Sequence, residues 1–402
     1  MDSNNVTRIL TINSGSSSIK LALFEITDAP KRLLEGAVED IGQPSARFVI
    51  KGIALSEDSS RAVVANNHVA ATEILVDWLK QQNISGTISA IGHRIVHGGP
   101  KYYEPCIIDD EVVKGLRELT SFDPLHLPVE IQLIETFRKL FPSVKQVACF
   151  DTAFHHDLPN LAQLFPIPRH YAAKGVRRYG FHGLSYAYVM QELRRLYGPD
   201  KANGRLILAH LGNGVSLAAV HNGRPVDTTM SLTPAAGVPM STRSGDLDPG
   251  LASFLAHSEG MNVDQFNNMV NFKSGLLGMS ETTSDMEELL KREAEDSRAK
   301  EAVDVFCYQI KKTIGSLSAA LGGLDTLVFT GGMGENAPKI RARICEGLEF
   351  LGIELEESRN ATGAGLISSE NARVAVHVIH TDESFIIAQD VQQLTGKTTH
   401  AT

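Results

Sequence analysis

Three apolar runs in the chain each end in a turn rich in glycine or small polar residues. They are Asn13-Ser14-Gly15-Ser16-Ser17-Ser18 with Lys20, His210-Leu211-Gly212-Asn213-Gly214, and Gly331-Gly332-Met333-Gly334-Glu335-Asn336. Glycine lets backbone approach a ligand closely, and clustered N–H and hydroxyl donors suit phosphate oxygens. None is a Walker A loop or a dinucleotide fingerprint. One such turn reads as a tight hairpin; three in one chain point to a nucleotide. Two arginines have the right surroundings for phosphoryl chemistry: Arg94 in Gly92-His93-Arg94-Ile95-Val96-His97-Gly98-Gly99, and Arg243 in Ser241-Thr242-Arg243-Ser244-Gly245-Asp246. Guanidinium forks stabilise the charge that phosphoryl transfer spreads over equatorial oxygens, although a structural ion pair accounts for either arginine singly. His182 lies between glycines in Tyr179-Gly180-Phe181-His182-Gly183, a loop setting equally open to a ligand contact or a structural hydrogen bond. Asp151 closes the apolar run Ala148-Cys149-Phe150, at the carboxyl end of a strand, where open α/β sheets place active-site groups. Glu383, in Thr381-Asp382-Glu383-Ser384, is either a helix-start residue or a magnesium ligand. Zinc is not expected: His93 and His97 lack the glutamate of a zinc-protease helix, and His155-His156 lacks a partner at ligand spacing.

The elements that position these residues alternate between strand and helix. Ile9–Ile12 and Ile19–Phe24 read as a strand and its return, and Leu206–His210 with Val215–Val220 repeats the pattern about half a chain later. Two related domains, each opening with a hairpin, is the simplest reading. Helical spacing covers Val69–Lys80, Val129–Leu140 after Pro128, Leu184–Leu196, and a long stretch Ser284–Leu321 whose charged part, Glu287–Lys300, reads as a solvated face. Short strands at Ala148–Phe150, Leu327–Thr330 and Val374–Ile379 make the class α/β.

A length of 402 residues with 43% hydrophobic content predicts two or three domains with large cores. The net charge of -9 argues against nucleic acid as a partner. Cys106, Cys149, Cys307 and Cys345 are scattered, as reduced thiols of a cytoplasmic protein would be. Neither a signal peptide nor a run of ~20 apolar residues is present, so no membrane association is expected.

Together with Pro124-Leu125-His126, Phe150-Asp151-Thr152-Ala153-Phe154-His155 and Arg177-Arg178 before Tyr179, these motifs resemble, in order and over nearly the whole chain, those of the acetate kinase family. The resemblance implies two duplicated α/β domains of the actin-like ATPase type around an interdomain nucleotide cleft. Residues 1–153 plus 384–402 would form an N-terminal domain with a returning C-terminal helix, and 154–383 a nucleotide-binding and dimerisation domain. It implies reversible in-line transfer of the γ-phosphoryl group of ATP to acetate, giving acetyl phosphate and ADP, in a homodimer. Carried over by position, Asp151, His182, Arg243 and Arg94 are the catalytic set. Arg94 with Val96, Leu125, Phe181 and Pro234 would bind the acid. Lys20, His210, Leu211, Gly212, Asn213, Gly214, Asp285, Met286, Glu287, Gly332, Met333, Gly334, Glu335 and Asn336 would contact the nucleotide. Asn13 and Glu383 would hold Mg²⁺, or Mn²⁺ in its place.

Elementary chemistry sharpens one role. A carboxylic acid with a pKa of about 4 to 5 is already ionised at neutral pH and needs no general base. Asp151 is therefore better assigned to orienting Arg94, or to holding the metal's water, than to taking a proton. Val96 takes more room than alanine would, so a short acyl chain is expected. Departures from the family pattern are Ala235-Ala236-Gly237 after Pro234, Ser241 for glycine, Leu127, Leu184, Tyr186 and Ser384, and, near the nucleotide, Glu287 where a cation is usual. The competing readings are a propionate or butyrate kinase and, from another class, an ATP-switched binding protein. The latter needs no cationic acid site, so Arg94 flanked by Val96 and Leu125 favours the kinase.

Overall fold

The computed structural model describes residues 7–15, 17–52, 59–82, 84–363 and 365–396; Ser16 of the first turn lies outside them. The chain divides into two compact units, one running through Ala153 and resuming at Asp382, the other Phe154–Thr381.

The first unit holds β1 (Arg8–Ser14), β2 (Ile19–Ile26), β3 (Pro30–Glu39), β4 (Arg47–Gly52), β5 (Ser59–Ala62), β6 (Ala90–Ile95), β7 (Cys106–Ile107) and β8 (Lys145–Phe150). They form one sheet in the order β5-β4-β3-β2-β1-β6-β8-β7. β1 and β2 are the expected hairpin, with Asn13 opposite Lys20. β1, β6 and β8 run parallel, with Ile12 beside His93 and Arg94 beside Cys149. This register brings the carboxyl ends of the three strands, and with them Asn13, Arg94 and Asp151, to one sheet edge. Ile9, Leu10, Thr11 and Ile12 are all buried, because a central strand covered on both faces carries a continuous apolar run rather than an alternating one. The helices His68–Gln81 and Leu127–Leu140 contribute Leu75, Leu79, Leu133 and Phe137 to the core with Leu10, Leu23 and Ile91. Asn67 starts the former by accepting the Ala70 N–H, and Pro128 sits in the first turn of the latter. The last helix, Glu383–Gly396, closes on β6 so tightly that a Cβ at Gly92 would lie 2.4 Å from Ile387 and 2.7 Å from Val391.

In the second unit β9 (Arg205–Leu211), β10 (Val215–His221), β11 (Arg224–Thr228), β12 (Thr326–Thr330) and β13 (Ala375–Val378) pair in the order β11-β10-β9-β12-β13. β9 is antiparallel to β10 and parallel to β12, which is parallel to β13. The pattern β3-β2-β1-β6-β8 of the first sheet is the same: an antiparallel meander followed by two parallel strands. The helix Gly183–Tyr197 packs Tyr186, Val189 and Leu193 onto Leu206 and Leu208.

Two expectations change here. The stretch read as one helix, Ser284–Leu321, is two, Met286–Arg292 and Ser297–Leu321. Asp285 and Asp296 each accept a backbone N–H, from Glu288 and Arg298 respectively. An aspartate that caps competes with helix continuation, so each begins a new helix. The third glycine turn is a short helix, Gly331–Asn336. Gly331 enters it at φ +78, where a Cβ would sit 2.9 Å from the Leu211 carbonyl carbon. Among the described residues no helix is long and apolar enough to cross a membrane, and all four cysteines are free.

Candidate active site

In the first unit the chemistry centres on Arg94, next to last in β6. Its Nη2 donates to Asp151 Oδ2 at 2.6 Å and its Nη1 to the Ser14 carbonyl at 3.0 Å. Glu130 Oε1 lies 3.5 Å from Nη1 and Glu383 Oε2 4.0 Å from Nε. Burial alone would lower the Arg94 pKa, but Asp151, Glu383 and Glu130 raise it above the ordinary guanidinium value, so the cation is permanent. Asp151 is fully buried and is pinned by its own N–H to the Ile95 carbonyl at 2.9 Å. Asn13 Nδ2 donates to Glu383 Oε2 at 2.6 Å. Lys20 is exposed on β2. Val96 is buried, and Leu125 donates its N–H to Asp123, whose carboxylate also meets His126 Nδ1 at 3.0 Å.

Glu130 was not singled out by sequence. It occupies the buried face of its helix with Leu127, Ile131 and Ile134, and an acid on an apolar stripe is the signal that could have found it. Its Oε2 accepts the Val96 N–H at 3.0 Å. Burial pushes its pKa up to about 8, against the opposing pull of Arg94 and that N–H. His93, by contrast, is structural. It bonds Gln146 at 2.8 Å, and burial holds its pKa down at about 4, so it is neutral.

In the second unit His182, Gly214 and Arg243 converge. His182 adopts the left-handed conformation, φ +58, at the start of the Gly183–Tyr197 helix. Its Nδ1 meets Ser216 Oγ at 2.9 Å, and Ser216 in turn meets the Tyr186 hydroxyl. The His182 ring stacks on His210, centroids 4.2 Å apart. His210 Nδ1 meets Ser185 Oγ at 2.9 Å, and Ser185 meets Thr381 Oγ1 at 2.8 Å. These hydroxyls, like Glu130, escaped the sequence reading. They anchor both imidazoles on the Nδ1 side. Arg243 Nη1 donates to the Pro234 carbonyl at 3.2 Å. A Cβ on Gly214 would lie 3.0 Å from His182 Nε2 and 3.3 Å from Arg243 Nη1, so only a glycine lets all three close in. Phe181 and Pro234 are buried nearby in sequence, Phe181 through its carbonyl bond to His155.

The remaining sequence-predicted nucleotide residues are placed as follows. Gly212 approaches His210, and Asn213 accepts the Ser241 N–H at 3.3 Å through its carbonyl. Gly332 is exposed with open space at its Cβ position. Met333 and Gly334 lie in the same short helix, and Asn336 donates to the Gly332 carbonyl at 3.0 Å. The Glu335 carboxylate accepts from the Gly331 and Thr381 N–H groups and meets His380. Burial would raise its pKa, but those partners hold it below the usual value. Asp285, Met286 and Glu287 form a helix start, where Glu287 pairs with Lys291 at 2.6 Å on the surface. That pairing offsets the anion that stands where the family pattern has a cation.

The Acetokinase family profile matches residues 8–389. An acetate kinase of Rhodopseudomonas palustris (strain TIE-1) is 41% identical over 391 residues, 96% of this chain and 98% of that protein. Among solved structures, a propionate kinase from Francisella tularensis subsp. tularensis SCHU S4 has a TM-score of 0.88 at 35% identity, covering 96% of this chain and 99% of its own. The acetate kinase of Porphyromonas gingivalis has a TM-score of 0.85 at 36% identity, covering 97% and 100%.

Proposed function

The chain belongs to the Acetokinase family, and from that premise we propose that it transfers the γ-phosphoryl group of ATP to acetate, reversibly, giving acetyl phosphate and ADP. The observation that supports this most is Arg94, a part-buried, permanently charged guanidinium two residues from the buried Val96. A small acid needs that combination: a cation for its carboxylate and a short apolar wall for its acyl group.

A carboxylate oxygen bonds to the γ-phosphorus as the bond from phosphorus to the β–γ bridging oxygen breaks. The electron pair leaves with ADP, and no proton moves. Asp151, bonded to Arg94 at 2.6 Å, therefore orients the guanidinium rather than acting as a base. His182 and Arg243 neutralise the equatorial oxygens, a role that depends on preorganisation. Lys20, the turn His210–Gly214, Asp285–Glu287 and Gly332–Asn336 hold the nucleotide. Asn13 and Glu383, whose side chains meet through Asn13 Nδ2 and Glu383 Oε2, each carry an oxygen that suits a hard cation, which takes one or two carboxylates with phosphate oxygens and water. They would hold Mg²⁺, or Mn²⁺ as its substitute, which when bound neutralises phosphate charge.

Trapping the acyl phosphate with hydroxylamine over a panel of acids tests the reaction. Acetate is expected to be best. Each added methylene in a pocket walled by Val96 should lower kcat/KM by ~10–200-fold, or about 1–3 kcal/mol. Propionate, favoured as a second reading by the likeness to a propionate kinase, should then be slow but detectable. Butyrate above acetate would overturn the acetate assignment, and no hydroxamate from any acid would overturn the kinase reading.

Free thiols and an ATP co-substrate support a cytoplasmic setting for the reaction. The helices Gly250–Glu259 and Val263–Phe272 leave Phe254 65% and Val263 82% exposed. The family resemblance implies a homodimer, and we propose these two exposed apolar side chains as part of its contact. Light scattering should give twice the chain mass, and Phe254→Asp should shift it toward one chain; a wild-type monomer would refute the assignment.

A further inference from the structure

Glu130 is more than a packing residue, because it brings an additional carboxyl group to a cation that already has two. Asp151 at 2.6 Å and Glu383 at 4.0 Å balance Arg94 without it. Glu130 is 3% exposed, and its Oε1 has no hydrogen-bond partner among the described residues although it lies 3.5 Å from Arg94 Nη1. Its Oε2 is committed to the Val96 N–H at 3.0 Å. The charged groups facing it are Arg94 from β6, Asp151 after β8, and Asp123, itself paired with His126, from the turn before its own helix. Two of these three are acids, and burial and the acids all favour the neutral form.

Resting on the reading of Arg94 as the acid's anchor, we propose that Glu130 is a proton-linked positioning residue. Protonated, it leaves Arg94 able to take the incoming carboxylate; ionised, it competes with that carboxylate for the guanidinium and weakens acid binding. The proton sits on Oε1, since Oε2 is spent on Val96. The sign follows directly. The carboxyl is neutral below its pKa of about 8 and charged above it, so acid binding is at full strength at neutral pH and is lost as pH rises. If only the protonated form binds, KM for the acid climbs about tenfold per pH unit above that point.

Steady-state kinetics from about pH 6.5 to 9.5 test this. In the wild type, KM for acetate should be flat and then rise, while KM for ATP stays level. Glu130→Gln keeps an amide oxygen for the Val96 N–H and cannot ionise, so its KM for acetate should be nearly flat across the range. Coincident wild-type and Glu130→Gln profiles would overturn the proposal, as would a flat wild-type profile. A measurement on the unaltered enzyme needs no variant to fold: titrating acetate calorimetrically at about pH 9 in two buffers of different ionisation enthalpy should show uptake of nearly one proton per acid bound. No uptake refutes Glu130's role while leaving the kinase reading intact. That reading fails separately, if the wild type yields no hydroxamate.

Discussion

Arg94→Ala should lose ~10²–10⁴-fold in kcat/KM for acetate. Two charge-assisted hydrogen bonds to a carboxylate, at about 1.5–3 kcal/mol each, set that range. The same substitution should cost about 3–5 kcal/mol of folding stability, because it strips the counter-charge from a buried acid. Asp151 is fully buried and Glu130 nearly so, and Asp151 accepts a charge-assisted bond from Arg94 at 2.6 Å. The two losses can be separated. In Arg94→Ala with Asp151→Asn the orphaned charge is gone, so urea unfolding should recover part of the stability while activity stays lost. Arg94→Lys keeps a cation but not the planar fork, and should fall between wild type and alanine in kcat/KM. Near-normal turnover of Arg94→Ala would remove the acid-anchoring role, and with it the premise on which Glu130 was assigned.

The parts legible in the sequence were those whose cause is local. The hairpins β1–β2 and β9–β10 announce themselves as apolar runs broken by glycine and small polar residues, and they recur in the two sheets with the same neighbours. Asp151 could be picked out because a carboxylate at the end of a buried run has few reasons to be there, and β8 does end at Phe150. The parts that stayed hidden depend on distant partners or on competition between local options. Glu130 was not singled out, since its own sequence neighbourhood does not show that Arg94 and the Val96 N–H would close on it. Ser216 and Ser185 were not singled out, yet they meet His182 and His210 at Nδ1. The break before Ser297 was lost because the charged stretch keeps helical spacing; the capping bond from Asp296 to the Arg298 N–H decides it. Gly331–Asn336 looked like a turn because glycine reads as a helix breaker, whereas Gly331 is needed only to enter the helix beside Leu211.

Arg243→Ala should show the opposite kinetic signature from Arg94→Ala: kcat down ~10²–10³-fold, with KM for acetate changed only a few-fold. The difference lies in what each guanidinium has to balance. Arg94 already faces carboxylates and, as the proposed anchor, would hold a charge that the acid carries before the reaction. Arg243 is held at the Pro234 carbonyl, 3.2 Å from Nη1, and meets His182 around Gly214. If it acts on the phosphoryl group, its benefit grows as negative charge builds on the equatorial oxygens, and an interaction made mainly in the transition state appears in kcat. Fold stability should fall less than in Arg94→Ala, where the loss strips the counter-charge from the fully buried Asp151. The measurement is a full kcat and KM determination for both variants, with unfolding midpoints. A rise in KM for acetate with kcat intact would show that Arg243 binds the ground state, and the division of labour between the two arginines would then have to be redrawn.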